Sequence, residues 1–442
     1  MIQSRREWNR RVWSLAWPVV LANVTVPMVG LVDTAVMGRL PDPAYIGAVA
    51  VGAAVFNAVY WLFGFLRMGT TGLSAQAFGA GDAGALAAIA ARAVGIAALL
   101  GIAMVAFQVP LLKGLLWFFP ASDQVESLAA DYYGIRVWGA PALLCHFVVM
   151  GMLFGLQRMG TALVVSVLLN VCNVILDLTF VIGFGWGVEG VAAATLMSEW
   201  LAAAVGVTLL VRLLRGLGAR RPDRAALLDR QRLGALFQVS ANLIIRTLFV
   251  QLPFLTVTAV GAGLGDVVLA ANAVLMQLFF VMAYGLDALA HTAESLAGHA
   301  FGAGDRQRLR TATAYTLLWS VAIAAALCIV FALGGGLFID ALTQQPDVRA
   351  AARDYLPWVV VAPLAAVGAF HLDGVYIGTT RTAELRNCMF LALLVFVATL
   401  WLTLDAFGNH GLWLSMTAFM VARTALLGAL YPRLERLAVQ RG

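Results

Sequence analysis

The chain has 442 residues, of which 62% are hydrophobic and 12% charged. Soluble domains carry about 45–50% apolar and about 25% charged residues, so this composition excludes a water-soluble globular protein and implies many membrane spans. The formal net charge is +6, but the basic residues sit in short loops and near the termini, a distribution that sets membrane orientation and builds no nucleic-acid surface.

Arg5, Arg6, Arg10 and Arg11 precede an apolar run too long for the core of a cleavable signal, so that run is read as the first span. A membrane helix needs about 20 apolar residues. By that measure the first half holds six spans, at 13–38, 46–76, 85–110, 127–153, 160–184 and 189–213. An arginine-rich connection follows, with Arg215, Arg220, Arg221, Arg224, Arg230 and Arg232. The second half holds six more spans, at 234–262, 266–299, 307–338, 350–376, 384–407 and 411–432. The expected fold is an all-α integral membrane protein. Its twelve transmembrane helices form two pseudo-symmetric six-helix bundles, residues 1–213 and 234–442, joined by a cytoplasmic linker at 214–233.

The two halves share a sequence register. Ala-Phe-Gly-Ala-Gly-Asp runs from Ala77 to Asp82 and recurs from Ala300 to Asp305, an offset of 223. The same offset aligns Gly38 with Gly261, Gly155 with Gly378, Arg158 with Arg381, and Phe184-Gly185 with Phe407-Gly408. A gap-free register over this distance marks a duplicated architecture. The hexapeptide has no preceding strand and no following Lys-Ser/Thr, so it is read as a helix–helix turn and not as a phosphate loop, with Asp82 and Asp305 as N-caps.

Arginine placement puts both termini, the linker and the two hexapeptide loops on the cytoplasmic side of the inner or plasma membrane. An even number of spans per half gives the halves one orientation, related by an axis along the membrane normal. Pro18, Pro27, Pro141, Pro253 and Pro363 fall inside spans and mark bends, either static kinks or hinges. Cys145, Cys172, Cys328 and Cys388 match neither a metal site nor a disulfide framework and are read as packing residues. Trp8, Trp117, Trp186, Trp413 and Tyr431 are read as interface anchors, as are Tyr132 and Tyr133, although the latter two could line a cavity.

Ionisable groups at membrane depth are costly and face the bundle interior. In the first half these are Asp33, Arg67, Arg136, Asp177 and Glu199; Glu199 is expected to pair with a nearby basic residue. Asn170, Asn173 and Asp177 follow i, i+3, i+7 spacing and share one helix face. With Asp33 they could hold a cation or share a proton, or form a structural polar network. At the offset of 223 they fall on Thr256, Leu393, Phe396 and Leu400, so this cluster is not duplicated. The second half offers Arg246, Asp287, His291, Glu294 and Asp373. Asp287, His291 and Glu294 form their own stripe, which fits a salt-bridge network around Arg246 better than a metal site. Asp287 is the expected partner of Arg246, and Glu294 is expected close to the cytoplasmic surface.

Several segments together resemble the multidrug and toxic compound extrusion (MATE) family, in its DinF-like branch. They are Val32-Asp33-Thr34, Leu66 to Gly72, Asn173 to Asp177, Leu372-Asp373-Gly374 through Arg381, and Arg386-Asn387. The resemblance spans the chain. It implies two lobes around a central cavity, and alternating access driven by a proton or sodium gradient. Coupling would run through Asp33, Asn173 and Asp177, which could also take Na+. The acid that the NorM-like branch carries in its seventh helix is absent; Arg246 and Gln251 stand there. The expected protein is a monomeric antiporter that exports small cationic or amphipathic compounds, with no cofactor beyond the transported ion. With 5 His and no nucleophile–base pair, an enzyme is not expected. A flippase for lipid-linked precursors is the other reading, resting on Arg67, Arg136 and Arg246.

Overall fold

The structure, a computed structural model, describes residues 4–37, 44–118 and 122–439. It is built of helices, with no strand among the described residues. Ten helical runs among these residues are long and apolar enough to cross a membrane. Their outer faces are apolar where a soluble protein would be polar: Leu333 is 81% exposed and Trp401 80%. The all-α membrane architecture follows, since a helix satisfies its backbone hydrogen bonds internally.

The chain divides into two compact units. One is Trp17–Gly234; the other is Met1–Ala16 together with Ala235–Gly442. The first unit takes most of α1 (Arg5–Met37), then α2 (Ala44–Leu62), α3 (Phe65–Gly79), α4 (Ala83–Ala106), α5 (Gln108–Phe118), α6 (Asp123–Arg136), α7 (Ala140–Gly155), α8 (Met159–Asp177), α9 (Val188–Gly216) and the short α10 (Arg224–Leu227). Several predicted spans are interrupted here. The second breaks at Phe63-Gly64, and the third at Phe107. The fourth tightens into a 3₁₀ turn at Val137–Gly139. Pro141 therefore sits in the first turn of α7, where a missing N–H costs little, and does not kink a continuous helix.

The second unit contains α11 (Arg230–Gly263), α12 (Asp266–Gly302), α13 (Arg306–Leu342), α14 (Pro346–Gly378), α15 (Thr382–Phe407) and α16 (Asn409–Val439). Helix α12 packs on α13 and α14, and α15 on α16. Phe279, Phe331, Trp413 and Phe419 fill the core. The first turns of α1 join this unit through aromatic contacts. Trp8 stacks on Tyr315 at 6.0 Å, Trp13 meets Trp319 edge-on at 5.0 Å, and Trp319 Nε1 donates to Asn9 Oδ1 at 3.0 Å.

Trp8 and Trp413 are thus not interface anchors. The Trp413 indole is buried because a partner for its N–H is buried with it. Asn272 Oδ1 accepts from Trp413 Nε1 and from Asn409 Nδ2, both at 2.9 Å, and Asn272 Nδ2 donates back to Asn409 Oδ1 at 2.8 Å. Trp186 is half-exposed, consistent with an anchor. The Trp117 side chain and Gly38 lie outside the described residues.

The duplication is visible atom by atom. Both hexapeptides turn through a left-handed glycine, Gly81 and Gly304 (φ +70° and +67°). The Asp82 carboxylate accepts from Ala85 N, and that of Asp305 from Arg308 N, each at 2.8 Å. The turn and both caps are as expected. The helix contacts repeat as well. A Cβ on Gly151 or Gly155 would meet the carbonyls of Arg67 and Thr71; a Cβ on Gly374 or Gly378 would meet those of Ala290 and Glu294. These four carbonyls are related by the same offset of 223. Small residues four apart let α7 approach α3, and α14 approach α12, backbone to backbone.

Gly378→Ala should therefore destabilise the protein by about 1–3 kcal/mol, the range for overpacking. Its new Cβ would clash with Glu294 O. Gly334→Ala, with nothing within 4 Å, should be neutral or slightly stabilising. Thermal midpoints of the two purified variants check this.

Candidate functional site

In the first unit, α8 carries the predicted stripe. Asn170 Nδ2 donates to Thr25 Oγ1 on α1 at 2.6 Å. Asn173 Nδ2 donates to Thr195 Oγ1 on α9 at 3.2 Å. Asp177 is the last residue of α8 and is fully buried. Immediately after it the chain widens into a π-helical segment, Leu178–Gly183, a departure common at functional sites. Asn173 is buried and its Oδ1 has no hydrogen-bond partner among the described residues.

The Asn170–Thr25 bond fixes how α1 and α8 register. Asp33 lies eight residues beyond Thr25, and Asp177 seven beyond Asn170. Three spans, an odd number, lie between the two helices (α2–α3, α4–α5 and α6–α7), so they run parallel. At about 1.5 Å per residue the backbone of Asp33 comes level with that of Asp177. The side chain of Asp33 lies outside the described residues.

A second cluster sits on α6 and α9. Arg136 Nη1 pairs with Glu199 Oε1 at 3.0 Å, both largely buried, and Arg136 Nε donates to Tyr132 Oη at 3.1 Å. The guanidinium lies over Phe56 (4.9 Å) and Tyr60 (5.9 Å). Tyr133 stacks on Phe56 at 5.1 Å. Tyr132, which accepts from Arg136, and Tyr133, which packs on Phe56, are both buried; they do not anchor the chain at the interface. The basic partner expected for Glu199 is Arg136.

The second unit has a different chemistry. Asp373 Oδ2, on α14, accepts from Arg246 Nη2 of α11 and from Arg423 Nη2 of α16. The ion pair of Arg246 is thus with Asp373, whereas Asp287, half-buried on α12, acts through its charge on Arg423. The correction has a simple cause. Helix α14 packs closely on α12 through Gly374, which brings the neighbouring Asp373 into the bundle beside the cations. Arg423 is 2% exposed, with its guanidinium over Phe419 (5.3 Å) and Phe370 (5.8 Å). It was missed in the sequence, although it falls in the middle of the span at 411–432. His371 was missed too; it is buried, with Nε2 2.9 Å from Thr316 Oγ1. Glu294 is buried, and His291 is half-buried. Among the described residues no three His, Cys, Asp or Glu side chains form a metal ligand set.

The scaffold is repeated but the chemistry is not. At the offset of 223, Arg136 and Glu199 fall on Val359 and Ala422, while Asp373 and Arg423 fall on Met150 and Trp200. Each unit keeps its own ionisable cluster.

A family model described as MatE matches the chain twice, over residues 18–179 and 242–402. The two starts are spaced within one residue of the offset of 223. DNA damage-inducible protein F of Escherichia coli K12 is 36% identical over 427 residues, covering 96% of this chain and 92% of that protein. Protein DETOXIFICATION 44, chloroplastic, of Arabidopsis thaliana is 26% identical, covering 93% of this chain and 80% of that protein. Among solved structures, an outward-facing multidrug resistance MATE family transporter of the MOP superfamily superimposes with a TM-score of 0.85 at 19% identity. That match covers 98% of this chain and 97% of the other.

Proposed function

From the premise that the chain belongs to the MatE family of multi-pass membrane transporters and is not an enzyme, we propose that it exports small organic cations in exchange for protons, by alternating access. The observation that carries this reading is the buried Asp177, with Asn173 one turn away and Asp33 on the same level of α1. A carboxyl group at membrane depth needs only a proton to become neutral, whereas sodium asks for a cage of oxygens. In the proposed cycle, protons arriving from outside neutralise Asp33 and Asp177. Helix α1 then repacks against α8, and the substrate leaves outward. One charge moved down 100 mV supplies about 2.3 kcal/mol, enough to bias such a step about fiftyfold. The inner membrane, with both termini cytoplasmic, is the proposed location.

Relatives with "multidrug resistance" in their names, such as the probable NorM of Thermotoga maritima, 30% identical over 208 residues, support a small-molecule substrate. Against a lipid-linked precursor stands the engagement of two of the three arginines that such a headgroup would need. Arg136 is held by Glu199, and Arg246 shares Asp373 with Arg423.

The test is efflux from proteoliposomes of purified protein, under an imposed pH gradient or an imposed sodium gradient. Export of a cationic dye under the pH gradient alone is expected. Export under sodium alone would replace the ion, and no export under either would favour lipid flipping.

A further inference from the structure

We infer that the first unit carries a site for the phosphate headgroup of an anionic phospholipid, held by Arg158 and Arg212. The ends of α3, α7 and α9 and the start of α8 converge on a cavity of about 340 Å³. Its wall is apolar, built from Phe78, Leu156, Leu209 and Leu213, and the two arginines are its charged groups. Neither arginine has an acidic partner within ion-pair distance among the described residues. An apolar wall beneath two unneutralised guanidiniums matches acyl chains beneath a phosphate. Guanidinium holds phosphate oxygens in a bidentate fork.

Three further observations favour a lipid over a soluble anion. The cavity is lined in part by Thr161 of α8, a helix long and apolar enough to cross a membrane. It lies at the end of the bundle where Arg215, Arg220, Arg221 and Arg224 follow, and a basic run directly beyond a span attracts anionic leaflets. That run is tied to the bundle: Arg92 on α4 donates to the carbonyls of Ala226 and Leu227.

The second unit supplies an internal comparison. At the offset of 223, Arg158 and Phe78 fall on Arg381 and Phe301, but Arg212 falls on Glu435. Glu435 is buried and pairs with Arg306 at 3.4 Å, and Arg381 lies 3.8 Å from Glu384. The equivalent place in the second unit is therefore neutralised from within. The first unit alone leaves two positive charges facing the cavity.

Binding of phosphatidylglycerol to the full-length protein in detergent tests the proposal, with the thermal midpoint and lipid retention in native mass spectrometry as readouts. Wild type should be stabilised by phosphatidylglycerol and not by phosphatidylcholine. Arg212→Glu, and separately Arg158→Gln with Arg212→Gln, should raise the half-saturating lipid concentration at least tenfold. Arg433→Gln, an exposed arginine elsewhere, should leave it unchanged. Equal responses to the two lipids, or unchanged half-saturation in both cavity variants, would overturn the site. The same shift with inorganic phosphate alone would assign the pocket to a soluble anion and overturn the lipid.

Discussion

Asp177→Asn should reduce gradient-driven export to the level of protein-free liposomes while leaving the protein folded. The substitution keeps size and hydrogen-bonding capacity but removes the group that can change charge. Asp177 is fully buried at the junction of α8 with the π-helical segment, so neutral Asn should be tolerated by the packing. The loss should be confined to turnover. Binding of a cationic dye, measured by fluorescence on the same preparation, should survive within a few-fold. Asp33→Asn should behave in the same way, since the Asn170–Thr25 bond sets the two positions at one depth. Coupled export by the Asp177 variant at more than a tenth of the wild-type rate would remove that carboxylate from the coupling path.

The largest loss of stability is expected in the second unit, from Asp373→Ala. Asp373 Oδ2 is shared by the buried Arg423 and the largely buried Arg246, and removing one partner of a buried ion pair costs about 3–5 kcal/mol, because the remaining charge stays buried without compensation. Here two cations lose their shared carboxylate at once. The thermal midpoint in detergent should fall accordingly. Adding Arg423→Met should recover part of the loss, because it removes the more deeply buried of the two cations and leaves an apolar side chain against Phe419 and Phe370. Additive losses in the double variant would mean that Arg423 is not held by Asp373.

Much of this architecture was legible because the membrane simplifies the problem. Long apolar runs become helices, and the repeated hexapeptide with its Asp caps fixes both the turn and the duplication. The stripe of Asn170, Asn173 and Asp177 was legible for the same reason, since spacing along one helix is a local property. The partners were less so. Nothing in the spacing says that Asn170 reaches Thr25 while Asn173, one turn away, reaches Thr195 on another helix. The short list of acids in the sequence points Arg246 to Asp287, but the close approach at Gly374 brings Asp373 to it. Tyr132, Tyr133 and Trp413 looked like interface aromatics because they stand near span ends. Arg136 draws Tyr132 inward and Asn272 draws Trp413, each by offering a polar partner away from solvent, while Tyr133 packs on Phe56. Depth along a helix is written in the sequence, but the neighbour across a helix interface is not.

The aromatic clasp at the start of α1 bears on how the chain can be divided. A cut in the linker looks harmless on the sequence, because it separates one repeat from the other. It would also strip the second repeat of Trp8, Asn9 and Trp13, leaving Tyr315 and Trp319 without the rings and the carbonyl that cover them. The two halves of this gene are therefore not interchangeable cassettes. The later half takes its last piece of covering from residues that precede the earlier half's bundle in the chain.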